Sequence, residues 1–137
     1  QKTGGKAWPV RCDVTNLKDV ESLAVKAEKL LEAPVNLVIN NAGIGTGGKN
    51  IGDTTMADWH ATMDVNLWGV IYGCHVFAPK LRALGRGGII NVASTASFSA
   101  APHLQDSSDM DRDIASQERL TIAGKHDGPF QRMIEIF

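Results

Sequence analysis

A cluster of glycines follows a short apolar run and has the spacing of a phosphate-binding loop. Residues 35–39 are apolar apart from one asparagine, and residues 43–48 read G-I-G-T-G-G, a literal G-x-G-x-x-G. Such glycines bind a pyrophosphate when a helix starts directly after them, because the first helical N–H groups then point at the anion. Here the chain continues to Asp53 before a helix can begin, so the spacing alone does not predict a phosphate site.

Polar residues elsewhere could do chemistry, but each also has an ordinary structural explanation. Asp13 precedes a helical repeat and fits the positive end of a helix dipole. Asn66 fits an exposed helix position, and Ser94 fits the turn after a strand. By residue type alone, Ser97 and Ser99 are equally good candidates for a catalytic serine. Taken one at a time, these residues assign no reaction.

The metal-ligating residue types predict no metal site. The histidines share no ligand spacing. The calcium-loop-like run at residues 109–113 is followed by Ile114 instead of the required glycine, and Leu120 replaces the closing glutamate. Cys12 and Cys74 match no metal or redox spacing, which favours reduced thiols in a cytoplasmic protein.

Length and composition indicate one ordinary globular domain. The chain has 137 residues, of which 43% are hydrophobic and 21% are charged, and its formal net charge is −1. This balance gives no electrostatic reason to expect a nucleic-acid partner. The apolar runs are far shorter than the ~18 residues of a membrane span, so no membrane association is expected.

Three segments are typical of strands. Residues 7–14 (AWPVRCDV) indicate a short strand, and Pro9 favours a sheet edge because proline cannot donate to a ladder. Residues 36–41 and 89–94 are β-branched runs typical of buried strands.

Helical patterns separate these strands. Apolar residues recur at helical spacing over residues 17–31, with Thr15 or Asn16 as N-cap. A Thr–Asp capping box opens a second helical stretch over residues 55–84. The order β-α-β-α-β predicts an α/β fold with a doubly wound parallel sheet and right-handed crossovers.

The motifs, taken in order, resemble the short-chain dehydrogenase/reductase family. D-V-T at residues 13–15 and N-N-A-G at residues 40–43 each follow a predicted strand. W…D-V-N-L-W-G-V spans residues 59–70, and G-G-I-I-N-V-A-S at residues 87–94 ends on the residue matching the family's catalytic serine. The resemblance covers residues 1–104 apart from the first few, and it implies the central β-α-β-α-β portion of a Rossmann-like sheet.

The resemblance implies hydride transfer between NAD or NADP and the alcohol or carbonyl carbon of a small molecule. It implies a homo-oligomer for the full-length protein. The cofactor-binding residues that it implies are Asp13, Val14, Asn41, Ala42, Gly43 and Val65. The Asp13 carboxylate would accept a hydrogen bond from the adenine amino group. Asn66 would bend its helix and hold a water in the proton relay, and Ser94 would hydrogen-bond the substrate oxygen. Asn40 would brace neighbouring strands.

The chain departs from the family pattern at both ends. The cofactor loop T-G-x-x-x-G-x-G is absent. Its one candidate start is Thr3-Gly4, and Trp8 stands at the position of the next glycine. The Y-x-x-x-K pair is also absent: Tyr72 is the one tyrosine, and Val76 stands four residues after it. We therefore expect a family member truncated at both ends, with residues 105–137 forming a divergent tail that is irregular or weakly helical.

The family's strand order, 3-2-1-4-5-6-7, implies a further expectation. The strand at residues 7–14 would reach that at residues 36–41 only through two strands that this sequence lacks, which would leave a sheet edge exposed. No strand is expected in the tail. The leading hypothesis is an NAD(P)-dependent oxidoreductase by descent, inactive as this chain alone. The alternatives are a non-catalytic fragment that associates with a full-length relative, and an unrelated α/β binding module.

Overall fold

The computed structural model describes residues 7–45, 51–94 and 133–136, which have an α/β architecture. The helices are α1 (Leu17–Leu31), α2 (Met56–Met63) and α3 (Val70–Leu84), and the strands are β1 (Leu37–Asn40), β2 (Gly88–Asn91) and β3 (Met133–Ile136). A 3₁₀ turn at Ile51–Asp53 precedes α2, and a π-helical turn at Asp64–Gly69 joins α2 to α3. Within these ranges, none of the helices is long and apolar enough to cross a bilayer.

Helix α1 forms where the sequence predicts it. Asn16 is the N-cap, and its side-chain oxygen accepts a hydrogen bond from the Lys18 N–H at 3.0 Å. The residues that α1 buries repeat at helical spacing and are Val20, Leu23, Ala24 and Ala27. Lys80 of α3 also joins the two helices, because its ammonium group contacts both carboxylate oxygens of Glu28 of α1.

The second helical stretch is also confirmed, with one change of geometry inside it. Thr55 and Asp58 form the predicted capping box, in which each side chain bonds the other residue's N–H. The helix continues to Leu84 through the π-helical turn and ends at Gly85, whose φ of 70° is left-handed.

The sheet is parallel, with β1 between the other two strands. Its order is β2-β1-β3, and the register pairs Asn40 of β1 with Asn91 of β2. Helix α3 packs against β1 and β2, and α1 packs against α3. The core lies between this helix pair and the sheet, where Val38 and Phe77 are fully buried.

The strand predicted at residues 89–94 is present as β2, but the expectation that it is buried is wrong. Ile90 is 49% exposed and Val92 is 46% exposed. Ile89 packs on the core from the side that carries the helices. Ile90 points to the opposite face, because successive strand residues alternate between faces. In the part of the chain that the structure describes, helices cover one face of the sheet.

Two other expectations about the sheet are wrong. Residues 7–14 form no strand, because none of the described strands pairs with them. The tail does contribute a strand: β3 pairs in parallel with β1, from Met133 opposite Leu37 to Ile136 opposite Asn40. The edge of β1 that was expected to be exposed is therefore covered. Residues 105–132 of the tail, which were expected to be irregular or weakly helical, lie outside the described residues.

Candidate functional site

The residues matched to the family's site lie where the parallel strands end. β1 ends at Asn40 and β2 ends at its register partner Asn91, so the segments that follow them leave the same edge of the sheet. Ligands of open parallel sheets bind at this carboxyl edge. Gly43 and Ser94, each three residues beyond its strand, are exposed there.

Three of the residues assigned to the cofactor line one small cavity. Val14, Ala42 and Val65 meet there with residues of the π-helical turn and with Ile136 of β3. Gly69 permits this approach, since a Cβ atom on it would lie 3.1 Å from a Val14 methyl group. The cavity measures about 170 Å³ with its open mouth included. This volume includes open solvent, and the enclosed part has room for about one water molecule, so the cavity itself holds neither a dinucleotide nor an adenine ring.

Asp13 directly precedes Val14 in the sequence and is fully exposed. Its carboxylate accepts hydrogen bonds from the Thr15 hydroxyl at 2.8 Å and from the Thr15 N–H at 3.0 Å. These two bonds, the hydroxyl first, lower the pKa of Asp13 from its ordinary value. Asp13 is therefore part of the turn ahead of α1. The acidic residue in the first turn of α1 is Asp19.

Asn66 clamps the loop that follows β1. Its side-chain oxygen accepts from the Ile44 N–H, and its side-chain nitrogen donates to the Ile44 carbonyl, both at 2.8 Å. Gly43 lies against the same amide, because a Cβ on it would be 3.6 Å from the Asn66 oxygen. Asn66 sits in the π-helical turn, a geometry that often marks functional sites.

Asn40 links β1 to β2 and to α3. Its side-chain nitrogen donates to the Asn91 side-chain oxygen at 2.8 Å and lies 3.7 Å from the Cys74 sulfur. Its side-chain oxygen is buried without a hydrogen-bond partner among the described residues and is pressed against Gly73, where a Cβ would overlap it. This bracing is the role expected for Asn40.

The cysteines are free thiols. Partial burial, followed by the nearby Asp19 and Asp13 carboxylates, raises the pKa of Cys12. The Cys12 thiol therefore stays protonated at neutral pH, which makes it a poor nucleophile.

The structure brings some of the predicted residues together and leaves others apart. Val14, Ala42 and Val65 share the cavity, whereas Asn41 donates its N–H to Ile136 at 3.0 Å. Of the glycine cluster, residues 43–45 are irregular, and residues 46–50 lie outside the described ranges, as do Ser97 and Ser99.

Sequence reasoning missed Ile44 and Ile136 as contributors to this region. Ile44 acts through its backbone N–H and carbonyl, which every non-proline residue carries, so no residue type could reveal it. Ile136 does have a sequence signal, because isoleucines flank Glu135 in the alternation of a strand.

Comparison with known proteins gives a consistent family. The family model described as short chain dehydrogenase matches residues 1–106. A probable oxidoreductase of Mycobacterium tuberculosis, EphD, is 38% identical over 96 residues, which are 69% of this chain and 16% of that protein. The 7alpha-hydroxysteroid dehydrogenase of Escherichia coli is 32% identical over 96 residues, which are 70% of this chain and 36% of that protein.

Solved structures give the same result. A short chain dehydrogenase/reductase from Burkholderia phymatum, in complex with NAD, superposes with a TM-score of 0.68 at 29% identity. The superposition covers 98% of this chain and 48% of that one. The chain thus spans less than half the length of each of these proteins.

Proposed function

The chain belongs to the short-chain dehydrogenase family, and on that premise we propose that it serves NAD(P)-dependent oxidoreduction. A hydride would pass between the nicotinamide of NAD or NADP and the alcohol or carbonyl carbon of a small molecule. The observation that supports this most is the convergence of Val14, Ala42 and Val65 on one cavity, with the exposed Asp13 directly before Val14 in the chain. These are the residues that the family would place against adenosine.

The remaining residues would act at the other end of the site. We assign to Ser94, exposed beyond β2, the hydrogen bond to the substrate oxygen. Asn66 has both side-chain polar atoms bonded to Ile44, so its side chain positions the loop, and the proton-relay water would be held by the main chain of this turn. The sequence has no Y-x-x-x-K, so the proton donor is not supplied by these residues.

The family resemblance places Val14, Ala42 and Val65 against the adenosine part of the cofactor, so the sharpest test uses adenosine monophosphate. In a titration followed by NMR, we expect millimolar AMP to shift the methyl signals of Val14, Ala42 and Val65. Inosine monophosphate replaces the amino group with a carbonyl oxygen, which an ionised Asp13 would repel. It should therefore shift these signals less.

Substitution makes this test specific to Asp13. Asp13→Asn should remove the preference for AMP over inosine monophosphate, because an amide can both donate and accept. Asp64→Asn, a change at an exposed aspartate of the π-helical turn, should keep the preference. Equal shifts with both nucleotides in the unaltered chain would refute the adenosine assignment.

A second function, association with another protein chain, is favoured by an exposed apolar stripe that runs from α2 through the π-helical turn into α3. Its side chains are between 38% and 67% exposed, and they are Met56, Trp59, Met63, Leu67, Trp68 and Ile71. Contiguous exposed apolar surface of this kind marks interaction sites. We propose that the stripe makes the homo-oligomer. In the non-catalytic alternative, the same stripe would bind a full-length relative.

Light scattering after size exclusion tests the stripe. The unaltered chain should elute as a dimer or larger, and Ile71→Lys should shift it to monomer because the ammonium would be buried in the interface. Val25→Lys, on α1 at a position 65% exposed, should elute as the unaltered chain does. A monomeric unaltered chain would contradict the homo-oligomer, and a mixed complex on co-expression with a full-length relative would then favour the alternative. We also propose a cytoplasmic location, which suits the free thiols.

A further inference from the structure

The carbonyl oxygen of Ile136, the last residue of β3, holds the first two residues after β1. It accepts hydrogen bonds from the N–H groups of both Asn41 and Ala42, at 3.0 and 2.8 Å. Because two consecutive amides bond one oxygen, the direction in which the chain leaves β1 is fixed. The family resemblance assigns these two residues to the cofactor, so Ile136 holds main chain that the cofactor would meet.

The side chain of Ile136 supports the same region from inside the fold. It is 4% exposed, belongs to the hydrophobic core and lines the small cavity together with Val14, Ala42 and Val65. Because the enclosed part of that cavity has room for about one water molecule, these side chains have little space in which to move. A side chain buried to this degree offers almost no surface to a ligand, so its effect on binding passes through its neighbours.

The other end of this stretch of main chain is held by Asn66. Its side-chain amide bonds the N–H and the carbonyl of Ile44, both at 2.8 Å. Asn66 belongs to the region that the family model matches, whereas Ile136 lies beyond its last residue, 106. Two distant parts of the chain therefore fix one short segment, residues 41–44, from its two ends.

We propose that Ile136 is a positioning residue of the adenosine site, an inference that rests on the proposed function. Burial of its side chain keeps its carbonyl in place, and the carbonyl orients Asn41 and Ala42. The surface that meets the nucleotide is thus formed before the nucleotide binds. Such preorganisation raises affinity, because the ordering of these groups does not have to occur on binding. Ile136 therefore sets how tightly AMP binds, whereas Asp13 sets which base is preferred.

Titration with AMP, followed by the methyl signals of Val14, Ala42 and Val65, tests the effect on affinity. Ile136→Ala should raise the Kd for AMP about fivefold, because the shortened side chain lets its neighbours and its own carbonyl move. Ile136→Val keeps the branch at Cβ and should stay within about twofold of the unaltered chain. Ile90→Ala, a matched truncation at a 49% exposed position of β2, should leave the Kd unchanged. All of these variants should keep the preference for AMP over inosine monophosphate.

Hydrogen exchange tests the positioning without any nucleotide. The Ile44 amide is bonded to Asn66 and not to Ile136, whereas the Val92 amide is bonded to Asn40 across the β1–β2 pair at 2.9 Å. If Ile136 positions the whole segment, Ile136→Ala should speed exchange at Ile44 about threefold or more and leave Val92 unchanged. A merely structural role would speed both amides together, or neither, and either result would contradict the proposal.

The results distinguish a failure of this inference from a failure of the proposed function. If the unaltered chain does not bind AMP, or binds both nucleotides equally, the adenosine assignment fails and this inference fails with it. If the unaltered chain prefers AMP and Ile136→Ala binds it with the same Kd, the positioning role alone is overturned. Lost stability does not imitate the effect, because a variant that remains nine-tenths folded has its Kd raised only about 1.1-fold.

A second variant serves if Ile136→Ala does not fold. Ile136→Leu keeps the number of carbon atoms but moves the branch from Cβ to Cγ, so the core stays filled while the shape of the cavity wall changes. We expect it to raise the Kd for AMP about threefold. An unchanged Kd in this folded variant would overturn the positioning role.

Discussion

The two edges of β1 are both paired, but they are built in different ways. On the β2 side, backbone bonds from Gly88 to Asn36 and from Val92 to Asn40 are reinforced by the Asn40–Asn91 side-chain bond and by α3. On the β3 side, backbone bonds are reinforced by Ile136. Side-chain bonds depend on residue identity, whereas ladders use groups that nearly all residues carry. Among the described side chains, those of Asn40 and Asn91 join the β2 edge and that of Ile136 is buried at the β3 edge.

The largest effect is expected from breaking the β2 edge at Gly73. In Gly73→Ala the new methyl group would overlap the Asn40 amide, which would have to move away from Asn91. Overpacking and the loss of a buried hydrogen bond together should lower the free energy of unfolding by about 3 kcal/mol. Urea denaturation measures this change.

Gly52→Ala is the matched control for this substitution. A Cβ at Gly52 would meet no atom within 4 Å, so its free energy of unfolding should change by less than about 0.5 kcal/mol. Similar midpoints for the two variants would contradict the close contact between α3 and Asn40. The β2 edge would then not depend on this buried contact.

A smaller and more local effect is expected from weakening the β3 edge. Ile136→Ala removes a buried branched side chain, which costs about 2 kcal/mol. If β3 can separate from β1 while the rest of the sheet stays folded, this substitution lowers the free energy of that separation. The Asn41 and Ala42 amides should then exchange about 30-fold faster, while the Val92 amide changes little.

Ile90→Ala is the control on the other flanking strand. Ile90 is 49% exposed, so its truncation should cost about 1 kcal/mol or less and should leave the exchange of Asn41 and Ala42 unchanged. Faster exchange at all of these amides in Ile136→Ala would contradict separate opening, because it would tie β3 to the stability of the whole sheet.

The contrast between the edges also explains how far the sequence could predict the fold. Helix α1, the capping box at Thr55 and the positions of β1 and β2 follow from local periodicity, and the structure agrees. Residues 7–14 have the composition of a strand, but a strand also needs a neighbour, and composition says nothing about neighbours. β3 was missed for the same reason: four residues far along the chain become a strand by pairing with β1.

The burial of β2 and the residues of the candidate site also show what local sequence patterns can and cannot predict. The β-branched run of β2 does not reveal which sheet face is covered, so Ile90 was expected inside and lies half-exposed. Motif matching identified Val14, Ala42 and Val65, which meet around the cavity. It could not identify Ile136 beside them, because residue 136 lies outside the matched region. Local sequence patterns predict the helices and the strands β1 and β2, whereas long-range contacts determine which segments pair along the edges of β1.

The smallest predicted effect concerns the turn at Asp13, next to the cavity that Ile136 lines. The Thr15 hydroxyl is the main cause of the lowered pKa of Asp13, so Thr15→Val should move that pKa back toward its ordinary value. A carboxyl with a lower pKa in the folded state stabilises the fold above its unfolded pKa of about 3.9, and this stabilisation is lost as the pH falls through the folded pKa.

The difference in stability between the unaltered chain and Thr15→Val should accordingly be present at neutral pH and shrink in acid. NMR titration of the Asp13 carboxyl measures the pKa directly, with Thr62→Val on α2 as a control that should leave it in place. If the turn is independent of β3, Ile136→Ala should also leave the Asp13 pKa unchanged. A shift of the Asp13 pKa in that variant would show that the pairing of β3 with β1 is coupled to this turn through Val14. The turn would then belong with the β3 edge.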